Sequence, residues 1–201
     1  MKGRETLPYL LDRTGLIGAE IGVETAAFSK YLLDTGLFER LYSIDPWAAL
    51  IPGVTQDGEQ YYSENAMKTY LLAKDTLRMY GDQSRILRTE SGKAVKYFEG
   101  AAFDFIFLDG DHTTQGVKLD LETWWPKIKV GGMLAGHDYF DVEMDCGSGI
   151  ISNFGVKTAV DRFVAENGLQ LHIVEEPNDA LQWLPEQELP QWASWYILKQ
   201  K

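Results

Sequence analysis

The chain has a single cysteine, Cys146, so it can close no internal disulfide, and it has neither a Cys-x-x-Cys pair nor the cysteine spacing of a zinc site. Basic residues are scarce: 19 Lys and Arg stand against 30 Asp and Glu, a net charge of -11, and they form no cluster. A field of that sign repels nucleic acid and anionic membranes at long range, which counts against both as partners. No apolar stretch approaches the ~20 residues of a membrane span. Near the start, the apolar run Leu7–Leu11 is interrupted by Pro8 and followed by Asp12, too short for a signal-peptide core. The expectation is a soluble, cytoplasmic protein. Internal repeats, low-complexity tracts and linkers are also missing, so residues 1–201 read as one domain.

What is present suffices for a large core: 45% of residues are hydrophobic and 12% aromatic, which excludes a disordered chain. Short apolar runs alternate with amphipathic stretches, the rhythm of βαβ units. Strands are predicted at Ile17–Val23, Leu41–Ile44, Arg85–Arg88, Phe103–Leu108, Met133–Ala135 and Leu169–Val174, with a last one in Trp192–Lys199. Helices are predicted at Phe28–Leu33, Glu59–Tyr80, Lys93–Phe98, Gly116–Trp125 and Val156–Asn167, the last closed by Asn167-Gly168. Phe103–Leu108 is apolar on both faces and suits a central buried strand. Tyr139–Gly155, with its acids, Cys146 and three glycines, reads as an irregular lid or substrate loop.

In open α/β sheets, ligands lie outside the carboxyl ends of the strands. The residues left at those ends are Glu20-x-Gly22 after the first strand, Asp45 after the second, Asp109-Gly110-Asp111-His112 after the fourth, and His137-Asp138 after the fifth. Core packing does not explain such a gathering of acids and imidazoles. Asp45 lies 23 residues after Gly22, where an acid accepts hydrogen bonds from ribose hydroxyls. The alternative for Asp45 is a plain turn residue before Pro46. A dinucleotide site would also need Gly-x-Gly-x-x-Gly to seat a pyrophosphate. Here the run is Gly22-Val23-Glu24-Thr25-Ala26-Ala27, with one glycine and an acid that repels phosphate. A cofactor with a ribose, no phosphate and a positive charge fits better, and S-adenosylmethionine is one.

The segments AEIGVETAAFSKYL, LYSIDPW, RILRTESGKAV, FDFIFLDGDH and WWPKIKVGGMLAGHDY, in this order over residues 15–170, resemble the successive motifs of class I S-adenosylmethionine-dependent methyltransferases. The small-molecule O-methyltransferase group, with catechol and macrocin-type enzymes, is the most similar. The resemblance implies a Rossmann-like three-layer α/β sandwich with a mainly parallel seven-stranded sheet, order 3-2-1-4-5-7-6, whose last strand is antiparallel. It implies that Glu20 and Gly22 flank the methionine part of the cofactor, that Ser29 reaches its carboxylate, and that Asp45 holds the ribose. Glu90 and Ser91, or the backbone beside them, would border the adenine, and Asp109 would face the reacting end. Ala26 and Ala27 depart from the pattern, since relatives often carry glycine or an acid there.

The implied reaction is methyl transfer to a small-molecule acceptor, with a hydroxyl on a sugar, phenol or natural-product scaffold as nucleophile. Such a hydroxyl must lose its proton, either to a base or under a metal. Asp109, His137 and Asp138 stand where members of this group hold a divalent cation, and the imidazole leaves room for a metal softer than magnesium. The metal-free version uses His112 or His137 as the base, with Asp109 pivotal in both. Asp109, Asp111, His112, His137 and Asp138 are all expected to converge. Blander readings stand beside these: His112 as a helix cap, His172 as a structural strand residue, Trp124-Trp125 as packing, and Trp47 as either core or adenine flank. Two other classes stay open, a non-catalytic S-adenosylmethionine-binding or scaffold protein and a hydroxylase-like or hydrolase activity on the same fold. Gly-x-Ser-x-Gly, the hydrolase signature, is absent. The acceptor pocket is expected between Pro46–Tyr62 and Tyr139–Gly155, and exposed aromatics would support a homodimer.

Overall fold

The computed structural model describes residues 3–47, 56–145, 151–175 and 193–200. Its strands are β1 (Leu16–Ile21), β2 (Phe38–Asp45), β3 (Ser84–Arg88), β4 (Phe103–Leu108), β5 (Ile128–Gly136), β6 (Asp141–Asp145), β7 (Ile151–Gly155), β8 (Leu171–Glu175) and β9 (Ala193–Leu198). Its helices are α1 (Ala27–Asp34), α2 (Gln56–Leu77), α3 (Ser91–Ala94), α4 (Thr114–Trp124) and α5 (Val156–Asn167). No helix among the described residues is long and apolar enough to cross a membrane.

Seven strands form one sheet in the order β3-β2-β1-β4-β5-β9-β8, parallel throughout except that β9 runs antiparallel to both β5 and β8. With β6 and β7 set aside, this is the predicted order. All six residues of β4 are buried, as its two-faced apolarity requires. One face of the sheet packs against α3, α4 and α5 through Ala94, Leu121, Trp124, Val160 and Phe163. The other packs against α1 and α2 through Phe28, Leu32, Ala73 and Leu77. Trp124 is fully buried and Trp125 packs against the same cluster, as expected of them.

Two expectations are corrected, and one element appears that the sequence did not announce. Tyr139–Gly155 is not irregular throughout: β6 and β7 pair antiparallel as a separate two-stranded sheet, while residues 146–150, Cys146 included, lie outside the described part. Its acids and glycines mimic loop composition because a hairpin outside the main core needs little apolar content. The helix expected over Glu59–Tyr80 begins at Gln56 and ends at Leu77; Trp192, expected in the last strand, lies outside the described residues. Gly3–Leu11 forms a 3₁₀ helix that buries Leu7, an element without the 3.6-residue period that would announce it.

Charged groups pin the sheet from within. At the amino end of β4, the buried Asp104 accepts from the Ile17 amide at 2.9 Å and pairs with Arg13 at 3.0 Å and Lys129 at 2.8 Å. Between α3 and α4, the buried Asp120 accepts from the Ser91 hydroxyl, which in turn accepts from Trp124 Nε1 at 2.8 Å. Burial pushes the Asp120 carboxyl up to about 6, outweighing the Ser91 hydrogen bond.

Two predictions follow from packing and charge. The folded-state value for Asp120 lies above the unfolded one, so its contribution is fully present below about pH 4 and is lost as pH rises through about 6. The loss amounts to about 3 kcal/mol. Asp120→Asn should therefore flatten the wild-type decline in stability between pH 4 and 7, read from urea midpoints; parallel curves would show that the carboxyl titrates normally. Gly22 and Gly15 both have positive φ, +87° and +72°, but a Cβ at Gly22 would lie 2.0 Å from the Asp109 carbonyl oxygen whereas nothing lies within 4 Å at Gly15. Gly15→Ala should cost about 1 kcal/mol, from backbone strain alone. Gly22→Ala should cost about 3 kcal/mol or more, strain and collision together. Equal losses in chemical denaturation would mean that the loop after β1 simply moves aside.

Candidate active site at the carboxyl edge of the sheet

The sheet's hydrogen bonding runs past its strands and sets their ends level. Gly22 N donates to Ile44 O at 2.9 Å, Asp109 N to Ile21 O at 2.7 Å, His137 N to Leu108 O at 3.1 Å, and Thr89 N to Asp45 O at 3.1 Å. Gly22 crosses so close to Asp109 that only a hydrogen fits between the two backbones. The segments carrying Glu20, Gly22, Asp45, Asp109, His137 and Asp138 thus meet along one edge.

The loop after β1 is tight, with positive φ at Gly22 (+87°), Glu24 (+50°) and Ala26 (+66°). For the two non-glycine residues this is strain, and Ala26 sits at one of the positions where the resembling enzymes often have glycine. Asp45 holds the loop in place: its Oδ2 accepts from Val23 N at 2.9 Å and Glu24 N at 3.1 Å, and its Oδ1 from Trp47 N at 2.6 Å. Trp47 adds a second tie, donating from Nε1 to the Glu24 carbonyl at 2.8 Å while its buried ring packs on Tyr70 at 5.1 Å. The core reading of Trp47 therefore describes its position.

Beneath the loop, Glu20 is buried and accepts from the Ser29 hydroxyl, which also lies 2.6 Å from that of Ser43. Burial pushes the Glu20 carboxyl up to about 8; Asp109 and Asp45 add to the rise, while the Ser29 hydrogen bond and Arg4 oppose it. Arg4 is the site residue that sequence reasoning missed. It comes from the amino-terminal 3₁₀ helix, places Nη1 3.2 Å from Asp109 Oδ2, and lays its guanidinium 4.9 Å over the Phe28 ring. An isolated basic residue 105 positions from its partner in an aperiodic segment carries no sequence signal.

On the other side of Asp109 lies a compact cluster. His112 Nε2 is 3.0 Å from Asp138 Oδ2 and 3.4 Å from Asp109 Oδ1, and His137 Nδ1 is 2.7 Å from Asp138 Oδ1. Ligand atoms of Asp109, His137 and Asp138 all fall within 4.8 Å of one another. Asp138 is buried in the left-handed region (φ +52°), and its Oδ1 has no aligned hydrogen bond among the described residues, close as His137 is. Burial disfavours a charge on His112, but its contacts with Asp109 and Asp138 outweigh that and push its pKa up to about 9. Burial would likewise raise the Asp138 carboxyl; His112 and His137 instead hold it well below the usual carboxylate range. Asp111 does not take part in this cluster, because its carboxylate turns to the Thr113 amide at 2.9 Å. The cap of α4 is Thr113, whose hydroxyl accepts from Gly116 N at 3.1 Å, which corrects the capping alternative for His112.

His112 also stacks on Phe154 of β7 (4.8 Å, 19°), and Phe154 on Phe140 (5.5 Å, 18°), so the hairpin walls the cluster with aromatic rings. Glu90 and Ser91 lie beyond β3, at the start of α3. Glu90 is paired with Lys93 at 2.8 Å, and the Ser91 hydroxyl is committed to Asp120 and Trp124. His172 stacks on Tyr196 at 4.6 Å, a structural contact as expected.

A family model described as a methyltransferase domain matches residues 16–139. No curated protein matches significantly. Among solved structures, an O-methyltransferase from Bacillus cereus in complex with S-adenosylhomocysteine aligns over 97% of this chain and 80% of its own, at 16% identity and a TM-score of 0.59. The 1,6-didemethyltoxoflavin N1-methyltransferase of Burkholderia thailandensis, with its acceptor and S-adenosylhomocysteine bound, aligns over 98% and 76% at 11% identity and TM-score 0.61. An rRNA methylase from Streptococcus thermophilus aligns over 96% and 93% at 13% identity and TM-score 0.59. At these identities the structures share the fold and leave the acceptor open. The family match spans residues 16–139 of the 201, and the chain belongs to that family, the class I S-adenosylmethionine-dependent methyltransferases.

Proposed function

We propose that the chain transfers the methyl group of S-adenosylmethionine to a hydroxyl of a small molecule, assisted by a divalent cation at Asp109, His137 and Asp138. The observation that carries this reading is the pair of carboxylates flanking the Gly22 crossing, Asp45 and Asp109, with the buried Asp138 just beyond. S-adenosylmethionine supplies a methyl group on a cationic sulfonium, which suits acidic surroundings. A carboxylate has about four lone-pair sites and Asp45 uses three on backbone amides, which leaves room for a ribose hydroxyl. Glu20 lies under the methionine half and ionises in the presence of a positive ligand, the backbone at Glu90 and Ser91 borders the adenine, and Asp109 faces the reacting end.

The donor set fits a cation: two carboxylates and one imidazole with ligand atoms within 4.8 Å of one another, Asp138 among them buried. Such an ion lowers the pKa of a bound hydroxyl and fixes its orientation. The geometry of His112 favours this over a His112 base. Its Nε2 lies between two acceptor-only carboxylates, so that nitrogen carries the proton and is not free to take one. A metal-free version retains support from one contact, Asp138 Oδ1 against His137 Nδ1, which would orient His137 as the base. A small acceptor rather than RNA is favoured by the net charge of -11 and by the aromatic wall of Phe140 and Phe154.

Calorimetric titration with S-adenosylhomocysteine tests the cofactor half. Micromolar binding is expected for the wild type, and Asp45→Asn, which keeps the shape of the side chain but removes its charge, should weaken it about 10-fold or more. Unchanged affinity would sink the ribose assignment. For the metal half, methylation of a panel of phenols and sugars should collapse in chelator and recover with magnesium or manganese, and Asp138→Asn should abolish the recovery. Full activity in chelator would instead assign the proton to His137.

A further inference from the structure

The methionine half of S-adenosylmethionine carries an ammonium and a carboxylate, and the crevice is built mainly for the first. Glu20, Asp45 and Asp109 are acids, and of the charges acting on Glu20, Asp109 and Asp45 are negative while Arg4 is positive. A carboxylate placed here needs a cation or well-placed donors. The donors nearest the loop are already engaged: Val23 N and Glu24 N on Asp45 Oδ2, and Ala26 N on Val23 O at 2.8 Å. The Ser29 hydroxyl, expected to reach this carboxylate, is fully buried and committed to Glu20 and Ser43.

Arg4 stands where that charge is missing. It bonds Asp109 Oδ2 at 3.2 Å, its side chain is 34% exposed, and its stacking on Phe28, in the first turn of α1, sets the plane of the guanidinium. A guanidinium is a planar fork of five donors and can bridge two carboxylates at once. We propose that Arg4 binds the α-carboxylate of the methionine half while keeping its hold on Asp109, so that the amino-terminal 3₁₀ helix is part of the cofactor site. Arg4 then offsets the repulsion between that carboxylate and the acidic rim.

This assignment rests on S-adenosylmethionine binding in the crevice, and one pair of ligands separates the two claims. S-adenosylmethionine and decarboxylated S-adenosylmethionine, which lacks only the carboxylate, are titrated calorimetrically into wild type, Arg4→Met and Arg4→Lys. The wild type should bind the decarboxylated form about 10- to 100-fold more weakly. Arg4→Met should bind S-adenosylmethionine more weakly by a similar factor, yet bind the decarboxylated form as well as or better than wild type, since a repelling charge is gone. Arg4→Lys, which keeps the charge without the fork, should fall between and guards against a variant that merely misfolds. Equal weakening of both ligands in Arg4→Met would reduce Arg4 to a structural prop, and an unchanged ratio would hand the carboxylate to backbone amides; either overturns the proposal. Absence of binding by the wild type would remove the cofactor assignment as well.

Discussion

The site depends on one carboxylate. Asp45 ends β2 and gathers three backbone amides, two from the loop after β1 and one from its own turn. That loop needs an anchor, because Glu24 and Ala26 adopt a left-handed conformation that costs about 1–2 kcal/mol each. Amide donors on an ionised acceptor are among the stronger hydrogen bonds, worth about 1.5–3 kcal/mol. The balance favours the strained loop only while Asp45 is charged and in place. The turn reading of Asp45 and the proposed ribose contact are therefore not rivals, since three backbone amides leave one of its lone-pair sites over.

The acid rim is the second constraint, and it pulls against the first. Burial is the main cause that raises the Glu20 carboxyl, and the negative charges of Asp109 and Asp45 add to it. Two cations relieve this strain from opposite sides, Arg4 and protonated His112, both bonded to Asp109. Asp109 stands between the two, bonded to Arg4 through Oδ2 and to His112 through Oδ1. A site that stores repulsion when empty binds a positive ligand more tightly, because the ligand relieves what the fold had to bear.

The sheet was legible because its signals are strong and local: β4 has five apolar residues of six, broken only by Asp104, and Asn167-Gly168 closes α5 at the predicted residue. The edge residues were legible for a related reason. Once strand ends are located, parallel topology levels them, and Gly22, Asp45, Asp109 and His137 fall together without further information. What stayed hidden is tertiary. Nothing in the order of residues says that Arg4 crosses to Asp109, that Ser29 turns inward to Glu20 and Ser43, or that Asp111 caps a turn while its neighbour His112 joins two acids. The hairpin β6–β7 was only half announced: Asp141-Val142-Glu143-Met144-Asp145 alternates polar and apolar, but Ile151-Ser152-Asn153-Phe154-Gly155 does not, so its pairing partner gave no strand signal.

That hairpin is joined to the acid cluster through His112. Gly155 N donates to the His112 carbonyl at 2.9 Å, and a Cβ at Gly155 would fall 1.8 Å from Thr114 Oγ1, so β7 lies tight against the start of α4. The ring of His112 stacks on Phe154 while its Nε2 spans Asp109 and Asp138. One residue thus grips the hairpin with its backbone and ring and the acid cluster with its nitrogen. A displacement of the hairpin therefore reaches Asp109 and Asp138 through a single side chain. The sheet edge is held by the strand hydrogen bonds on either side of it, whereas the hairpin lies outside that sheet and is joined to the edge acids through His112, so the position of one bears on the other without any change in the sheet.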